Sequence, residues 1–439
     1  MYTCGPTVYD LAHIGNFRTF VFEDILRRYL RFKGYRVIQV MNITDIDDKT
    51  IAGARREGVD LDHYTARYID AFFEDLDTLG IERAEYYPRA TEHVEDMVRI
   101  ISALVEGGYA YQREGSVYFS ISKFSRYGDL SGRKIESRSG VVDDDEYGGE
   151  DARDFVLWKG RRGDEPSWEV PFGRGRPGWH IECSAMSMKY LGPSLDIHAG
   201  GVDNIFPHHE NEIAQSETYT GKRFVKYWLH AEHLLVEGEK MAKSKGNFYT
   251  LRDLIKRGYD PRAIRFCLAS SYYRRPLNFT LNGLEAADSS IQRIEDCRSR
   301  VLSIEPTSKE EVILEDIHDA KDRFIGGMDD DLNSPRALSS LFEMIRDVNR
   351  HLDSGASISL VEKEAILDLI GSANGVFDFL SSGEEDLPER VMQLIDEREE
   401  ARAKKDYQRA DVLREEIARN GFILEDTPRG VRWKRISSL

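Results

Sequence analysis

The chain has 439 residues, 41% of them hydrophobic and 32% charged, with a formal net charge of −17. That length supports two to four cored domains, the balance is that of a globular protein, and no apolar run reaches the ~18 residues of a membrane helix. The acidic total argues against a general nucleic-acid binder, and four cysteines (Cys4, Cys183, Cys267, Cys297) are too few for a disulfide framework in a chain this long.

The opening Met1-Tyr2-Thr3-Cys4-Gly5-Pro6 has neither the basic nor the apolar region of a secretory signal, so a reduced, cytoplasmic setting without a membrane partner is expected. Residues 1–41 read as strand, turn, helix, strand. Phe22, Ile25, Leu26, Tyr29 and Leu30 repeat at the spacing of one buried helix face, Gly34 suits the helix stop, and Arg36–Met41 is a strand candidate. A βαβ opening predicts a parallel sheet of the nucleotide-binding type. Residues 95–175 read as an insertion, with an exposed loop of Gly and Asp over Arg138–Arg153. Strands resume at Leu195–His198 and Phe224–Ala231. From about residue 281 the pattern is helical: Ser334 is a candidate N-cap before Pro335, and Ala337, Leu338, Leu341, Ile345 and Val348 form one apolar stripe. Ser381–Pro388 reads as a linker. The final module, 389–439, reads as a charged helix pair and a short strand pair. Residues 401–439 carry ten Lys/Arg against six Asp/Glu, a local balance of +4, which suits either a solvated helix face or a polyanion contact.

Two segments bear on phosphate chemistry. His13-Ile14-Gly15-Asn16 falls between the first strand and the first helix, where unpaired N–H groups and the positive dipole end favour phosphate oxygens. Gly15 permits close approach, and His13 and Asn16 can donate hydrogen bonds. Alone, such a tetrapeptide is common on surfaces. Lys240-Met241-Ala242-Lys243-Ser244-Lys245-Gly246-Asn247 is a cationic segment beside glycine, able to neutralise charge building on a triphosphate, or else an ordinary basic turn. A third set concerns metal. His208 and Glu212 are four apart and share a face if helical, and with Cys4 and Cys183 they make a plausible zinc shell. Spacing alone leaves open a pair of buried small cysteines and a helix salt bridge.

The two phosphate segments resemble the HIGH and KMSKS signatures of class I aminoacyl-tRNA synthetases. Within that class the chain resembles the cysteinyl-tRNA synthetases over essentially its whole length, through Cys4-Gly5-Pro6-Thr7-Val8-Tyr9, Asn42-Ile43-Thr44-Asp45-Ile46-Asp47-Asp48-Lys49, Gly178-Trp179-His180-Ile181-Glu182-Cys183-Ser184 and Phe206-Pro207-His208-His209-Glu210-Asn211-Glu212. The resemblance implies an α/β fold: a Rossmann-type parallel-sheet catalytic domain with an insertion, then a helical bundle and a small C-terminal mixed α/β module. The expected division is 1–94 and 176–235 for the two catalytic halves, 95–175 for the insertion, 236–280 for a stem-contact region, 281–380 for the bundle and 389–439 for an anticodon module. It implies that L-cysteine and ATP, with Mg2+, give cysteinyl-adenylate, which is passed to the 3′ end of tRNA(Cys). His13, Asn16, Lys240 and Lys243 would be catalytic, with Gly15, Lys243 and Asp203 on the nucleotide or the substrate amine. Thr44, Trp179 and His93 would surround the cysteine; for Trp179, core packing is the competing role. Cys4, Cys183, His208 and Glu212 would hold one zinc. Arg402, Tyr407, Asp411, Asp426 and Trp433 would meet the anticodon by stacking and base-edge contacts. A monomer is favoured.

Zinc has a chemical reason to be there. Cysteine and serine differ by one atom, and an apolar pocket gains only ~1–3 kcal/mol from such a difference. A zinc ion takes a thiolate strongly and a neutral hydroxyl weakly, so no editing domain is needed. Four protein ligands exceed the usual three of a catalytic site, so the substrate enters as a fifth ligand or displaces one.

The chain departs from the written signatures where Asn16 replaces the second His and Ala242 replaces a Ser. It also opens at the end of what would be the first strand, ahead of which relatives carry more residues. The alternatives are a cysteine ligase of the mycothiol pathway, which lacks a full anticodon end, and a catalytically silent RNA-binding paralogue. The basic end module argues against the first; the lysines and the ligand set argue against the second.

Overall fold

The computed structural model describes residues 1–133, 153–242, 245–380, 389–404, 406–420, 422–427 and 430–435, with backbone alone for 389, 403, 423, 425–427 and 430–435. The loop expected over 138–153 (save Arg153), the linker 381–388, and Lys243 and Ser244 lie outside the described residues.

The chain opens with β1 (Tyr2–Thr3), α1 (Ile14–Phe32) and β2 (Val40–Met41). His13 caps α1: its Nδ1 accepts from Asn16 N at 3.2 Å while Asn16 Oδ1 accepts from His13 N at 3.0 Å. This reciprocal pair satisfies two donors that a helix start otherwise leaves open. Phe22, Ile25, Leu26 and Tyr29 are buried as the spacing predicts, Leu30 is half-buried, and Gly34 follows the helix end at φ 86°. The strand expected over 36–41 is shorter, two residues at its C-terminal end.

Next come α2 (Asp48–Glu57), α3 (Leu61–Thr78) and α4 (Val94–Glu106). Then β3 (Ala110–Arg113), β4 (Ser116–Phe119), β5 (Phe155–Gly160), β6 (Trp168–Val170) and β7 (Gly173–Pro177) form an antiparallel sheet of order β3-β4-β5-β7-β6. Its inner face packs Val117, Phe119, Phe155, Leu157 and Trp158 into one core with Met97 and Ile101 of α4 and Ile181 beyond β7.

After α5 (Trp179–Leu191) the parallel sheet resumes as β8 (Leu195–Gly201), followed by α6 (Glu210–Thr220) and β9 (Val225–Ala231). Its order is β2-β1-β8-β9, all parallel, with Tyr2 opposite both Val40 and His198 and Leu195 opposite Val225. From β1 the chain crosses to β2 on one side, while β8 lies on the other. The order therefore reverses at β1, and ligands bind such sheets beyond the carboxyl ends at that reversal. Cys4 is the first residue past the end of β1. A smaller sheet combines β10 (Leu234–Val236), β11 (Glu239–Lys240) and, after α7 (Leu251–Lys256) and α8 (Pro261–Ala269), β12 (Leu277–Phe279).

The remainder is helical: α9 (Leu281–Ser303), α10 (Leu314–Asp329), α11 (Ser334–Asp353), α12 (Leu360–Phe377), α13 (Glu389–Ala403) and α14 (Tyr407–Arg419), closed by the hairpin β13 (Phe422–Thr427) and β14 (Gly430–Arg435). The stripe Ala337, Leu338, Leu341, Ile345, Val348 is buried. Ser334 does not cap α11. Asn333 Oδ1 accepts from Arg336 N at 3.4 Å, while the Ser334 hydroxyl donates to Ala269 O at 2.7 Å. The chain forms two compact units. One holds residues 1–250, 268–280 and 322–340; the other holds 251–267, 281–321 and 341–439. No helix among the described residues is long and apolar enough to cross a membrane.

Candidate metal centre and nucleotide site

Cys4 reaches the site from the end of β1, Cys183 from the second turn of α5, His208 from the turn just ahead of α6, and Glu212 from the start of α6. One ligand atom from each lies within 4.8 Å of all the others. That is close to the spread a single zinc with bonds of about 2.0–2.3 Å requires. His208 and Glu212 do meet, Nε2 to Oε1 at 3.2 Å, although His208 sits in a π-helical turn, 205–209, rather than in α6 itself. Glu212 is fully buried, and its Oε1 has no hydrogen-bond partner in the protein. A buried carboxylate oxygen in that state is costly unless a cation completes it, and two sulfurs, an imidazole and a carboxylate suit zinc.

Several histidines brace this group. His198 Nε2 meets Glu212 Oε2 at 3.1 Å, His209 Nε2 lies 3.4 Å from Cys4 Sγ, His180 Nδ1 is 2.9 Å from His208 Nδ1, and His230 Nε2 is 2.8 Å from His209 Nδ1. A second combination, Cys4, His198, His209 and Glu212, satisfies the same proximity. These histidines were not legible as a group, because each sits singly in a different segment, where a lone imidazole more often packs than ligates.

Burial shapes the acidities. It pushes His180 and His209 well down, and His198 and His230 to about 3, so these imidazoles are neutral. Burial, then the nearby Cys183, pushes Glu212 well up. Of the two thiols, Cys4 is raised by its hydrogen bond to Cys183 and by burial. Burial opposes ionisation of Cys183, but the bond from Cys4 and the neighbouring His208 outweigh it and hold Cys183 well below its usual range. The pair shares one proton, which a metal would displace.

Around the cluster, Trp179 is half-buried and stacks on His208 with centroids 4.1 Å apart, so it walls the site rather than filling the core. Thr44 is buried. Its hydroxyl donates to Glu182 Oε2 at 3.1 Å and accepts from Asn42 at 3.2 Å. Burial, then Cys183, raises Glu182 well above its ordinary value. His93 is not among the donor group; its nitrogens face Arg89 O at 2.7 Å and the Tyr190 hydroxyl at 3.1 Å. Asp203 is exposed in the turn after β8, its Oδ1 against the position a Cβ on Gly201 would take.

The two phosphate segments converge. Ile14 N donates to Tyr249 O at 3.0 Å, His13 pairs with Thr250, and its ring meets Phe248 edge-on at 5.3 Å. A Cβ on Gly15 would fall 2.8 Å from Met241 Cε. Lys240 ends β11, exposed; Lys243 is outside the described residues. Asn247 ties the hairpin, its Oδ1 accepting from Ala242 N at 2.9 Å. In the last module Arg402, Tyr407 and Asp411 are exposed on α13 and α14. Asp426 and Trp433 lie on paired strands, Asp426 opposite Val431 and Leu424 opposite Trp433; their side chains are outside the described set. Val391, Leu394, Leu413, Ile417, Phe422 and Leu424 make that module's own core.

Three family models match the chain: the tRNA synthetases class I (C) catalytic domain over residues 1–289, the DALR domain over 323–381, and the cysteinyl-tRNA ligase anticodon binding domain over 384–433. The cysteine–tRNA ligase of Brachyspira hyodysenteriae is 47% identical over 450 residues, covering 99% of this chain and 94% of that one. That of Solibacter usitatus is 50% identical over 443 residues, covering 99% and 94%. Among solved structures, methionyl-tRNA synthetase of Mycobacterium tuberculosis with methionyl-adenylate superposes at TM-score 0.64, with 14% identity over 86% of this chain and 91% of that one. A leucyl-tRNA synthetase of Agrobacterium radiobacter K84 superposes at TM-score 0.64, with 10% identity over 86% and 84%. At that identity the structural likeness concerns the fold alone. The silent-paralogue and mycothiol-ligase alternatives are not favoured, since the curated relatives are cysteine–tRNA ligases along nearly the whole chain and an anticodon-binding model covers its end.

Proposed function

Because the chain belongs to the cysteinyl-tRNA synthetase family, class I ligases that activate L-cysteine with ATP and load it onto tRNA, we propose that its own Cys4, Cys183, His208 and Glu212 hold one zinc ion at the cysteine pocket. The observation that carries this reading is the meeting of four buried or half-buried donors from three separated segments, one of them a carboxylate whose Oε1 makes no hydrogen bond although His208 Nε2 lies 3.2 Å away. Bound there, zinc supplies a soft Lewis acid that takes a thiolate in preference to a hydroxyl.

The rest is the work of side chains. Trp179 and Thr44 flank the cysteine, and His198 and His209 hold Glu212 and Cys4 in place from outside. Asp203 takes the substrate amine or a ribose hydroxyl. The N-terminus of α1, opened by Gly15, receives the ATP phosphates with Mg2+. Since the cap uses His13 Nδ1 and Asn16 Oδ1, the donors turned to phosphate are His13 Nε2 and Asn16 Nδ2. The cysteine carboxylate attacks the α-phosphorus and pyrophosphate leaves. Lys240 and Lys243 offset the charge that builds on the phosphates, and a hydroxyl of the tRNA 3′-ribose then attacks the adenylate carbonyl, breaking the acyl–phosphate bond and releasing AMP. Arg402, Tyr407, Asp411, Asp426 and Trp433 contact the anticodon of tRNA(Cys). The reading carries with it a monomer at work in the cytoplasm. Cysteine-dependent ATP–pyrophosphate exchange, followed by charging of tRNA(Cys), tests it. Activation of serine at a rate comparable to cysteine, or exchange undiminished in zinc-free protein, would overturn the role given to the metal.

A further inference from the structure

One carboxylate outside the donor cluster is bonded far more heavily than a half-exposed turn requires. Asp331, between α10 and α11, accepts from the hydroxyls of Tyr272 and Tyr273, the second at 2.7 Å, and from Arg274 through Nε and through Nη2 at 3.2 Å. Its backbone and that of Leu332 are left-handed, with φ 55° and 56°. Two successive non-glycine residues hold that conformation only where their surroundings impose it. Burial opposes the charge on Asp331, but Arg274 and the two hydroxyls keep its carboxyl below the ordinary range.

The three donors are consecutive, just ahead of β12, and α1 grips the same stretch from its other side. Arg18 donates to the carbonyls of Leu268, Ser271 (3.2 Å) and Tyr272 (3.1 Å), and Phe22 stacks on Tyr273 at 4.2 Å with an interplanar angle of 13°. The end of α10, just ahead of the turn, also meets α1, the Tyr29 hydroxyl donating to Asp329 at 2.7 Å. On the far side the stretch carries the lysine hairpin. Tyr273 O accepts from Glu232 N at 2.7 Å, Leu277 N donates to His233 O at 3.1 Å, and β12 pairs in parallel with β10 from Leu234–Leu277 to Val236–Phe279. Strand β10 turns directly into β11, where Lys240 stands. One carboxylate thus fixes the strand on which the lysine hairpin rests, against the helix whose N-terminus bears His13 and Asn16.

We propose that Asp331 is a positioning residue for adenylation: it sets where the lysine hairpin stands relative to the N-terminus of α1, and so governs attack at the α-phosphate without touching cysteine or ATP. The proposal rests on the reading of those two segments as the ATP-phosphate site. It predicts a loss in rate rather than in substrate binding, because misplacing reactive groups by about 1 Å can cost on the order of 10²-fold.

The test uses the full zinc-loaded chain with Asp331→Ala, Asp331→Asn and Asp331→Gly, followed by ATP–pyrophosphate exchange and thermal melting. Asp331→Ala should lower kcat for exchange by roughly tenfold or more, within the scale for misplaced groups, while KM for cysteine and zinc per chain stay as in the parent. Asp331→Gly relieves the left-handed backbone but removes the carboxylate. It should melt higher than Asp331→Ala yet be equally slow, separating position from stability. Asp331→Asn, which keeps an acceptor and loses the charge, should fall between. Should Asp331→Ala not fold, Tyr273→Phe keeps the stack on Phe22 and removes one hydroxyl, and should still slow exchange with melting little changed. Parent-like kcat in the Ala and Gly variants, or a rate loss that only follows melting temperature across the series, overturns the proposal alone. Absence of cysteine-dependent exchange in the parent protein overturns the functional reading and this proposal with it.

Discussion

Removing zinc should cost the first compact unit a measurable part of its stability, because the ligands come from segments far apart in sequence that only folding brings together. Cys4 and His209 are in contact at 3.4 Å across 205 residues of sequence. A ligand bound only by the folded state, present at about a thousand times its Kd, stabilises by about 4.1 kcal/mol. The unit spans about 280 residues, and at ~2.1 cal/mol/K of unfolding entropy per residue this corresponds to a fall in Tm of about 7 °C on chelation. Cys183→Ala removes a fully buried sulfur at the centre of the set. It should melt like the chelated parent, show no further shift with chelator, and lose cysteine activation, whereas the parent should hold about one zinc per chain. Scanning calorimetry with and without chelator, paired with elemental analysis, reads all of this. A chelated parent that melts where the loaded protein does, or a Cys183→Ala variant that keeps both zinc and full activation, would refute the ligand assignment.

Lys243→Ala should lower the adenylation rate by ~10²–10³ with little change in cysteine affinity, the scale for losing one transition-state contact, and single-turnover kinetics would measure it; an unchanged rate would make the hairpin an ordinary basic turn. Zinc affinity should fall on acidification, because Cys4 and Glu212, both raised when metal-free, must each give up a proton. The sign is a loss of affinity as pH drops, up to roughly 100-fold per pH unit for two protons, and a pH-independent competition titration would contradict it. Deleting 389–439 should spare pyrophosphate exchange and cut tRNA charging severely, since that module packs its own core around Leu394 and Leu413. Replacing Trp433 or Arg402 alone should give a smaller loss, stacking being worth ~1–3 kcal/mol per base, and charging by the truncated chain at the parent rate would remove the anticodon assignment.

What the sequence made legible was what repeats or clusters locally. The face of α1 follows from the spacing of Phe22, Ile25, Leu26 and Tyr29, and the stripe of α11 from Ala337 to Val348, because each contact partner lies a turn or two away. The metal ligands emerged from the resemblance, since spacing alone allowed a salt bridge and two core cysteines. The bracing histidines and the Asp331 cluster did not emerge. Tyr272 and Asp331 are 59 residues apart, and Arg18 and Leu268 are 250 apart. No local pattern marks such partners. Ser334 misled for a related reason: it is already the first residue of the helix, the preceding Asn333 accepts the capping bond from Arg336 N, and the Ser334 hydroxyl donates instead to the distant Ala269 carbonyl. The first two strands read poorly because parallel pairing draws its stability from neighbours far along the chain, and two residues suffice for β1 when it lies between β2 and β8.

The missing side chain at Gly15 leaves clearance for the ring that caps α1 and for the Met241 side chain. A methyl group there would meet Met241 Cε at 2.8 Å and the His13 ring at 3.0 Å. Both are well inside ordinary carbon contact, so something would have to retreat. The Met241 methyl is the end of a flexible side chain and can swing aside, but the His13 ring is held by its place in the helix cap. The hydrogen at residue 15 is therefore the clearance of the capping imidazole, and even alanine would press on the ring that closes the helix start.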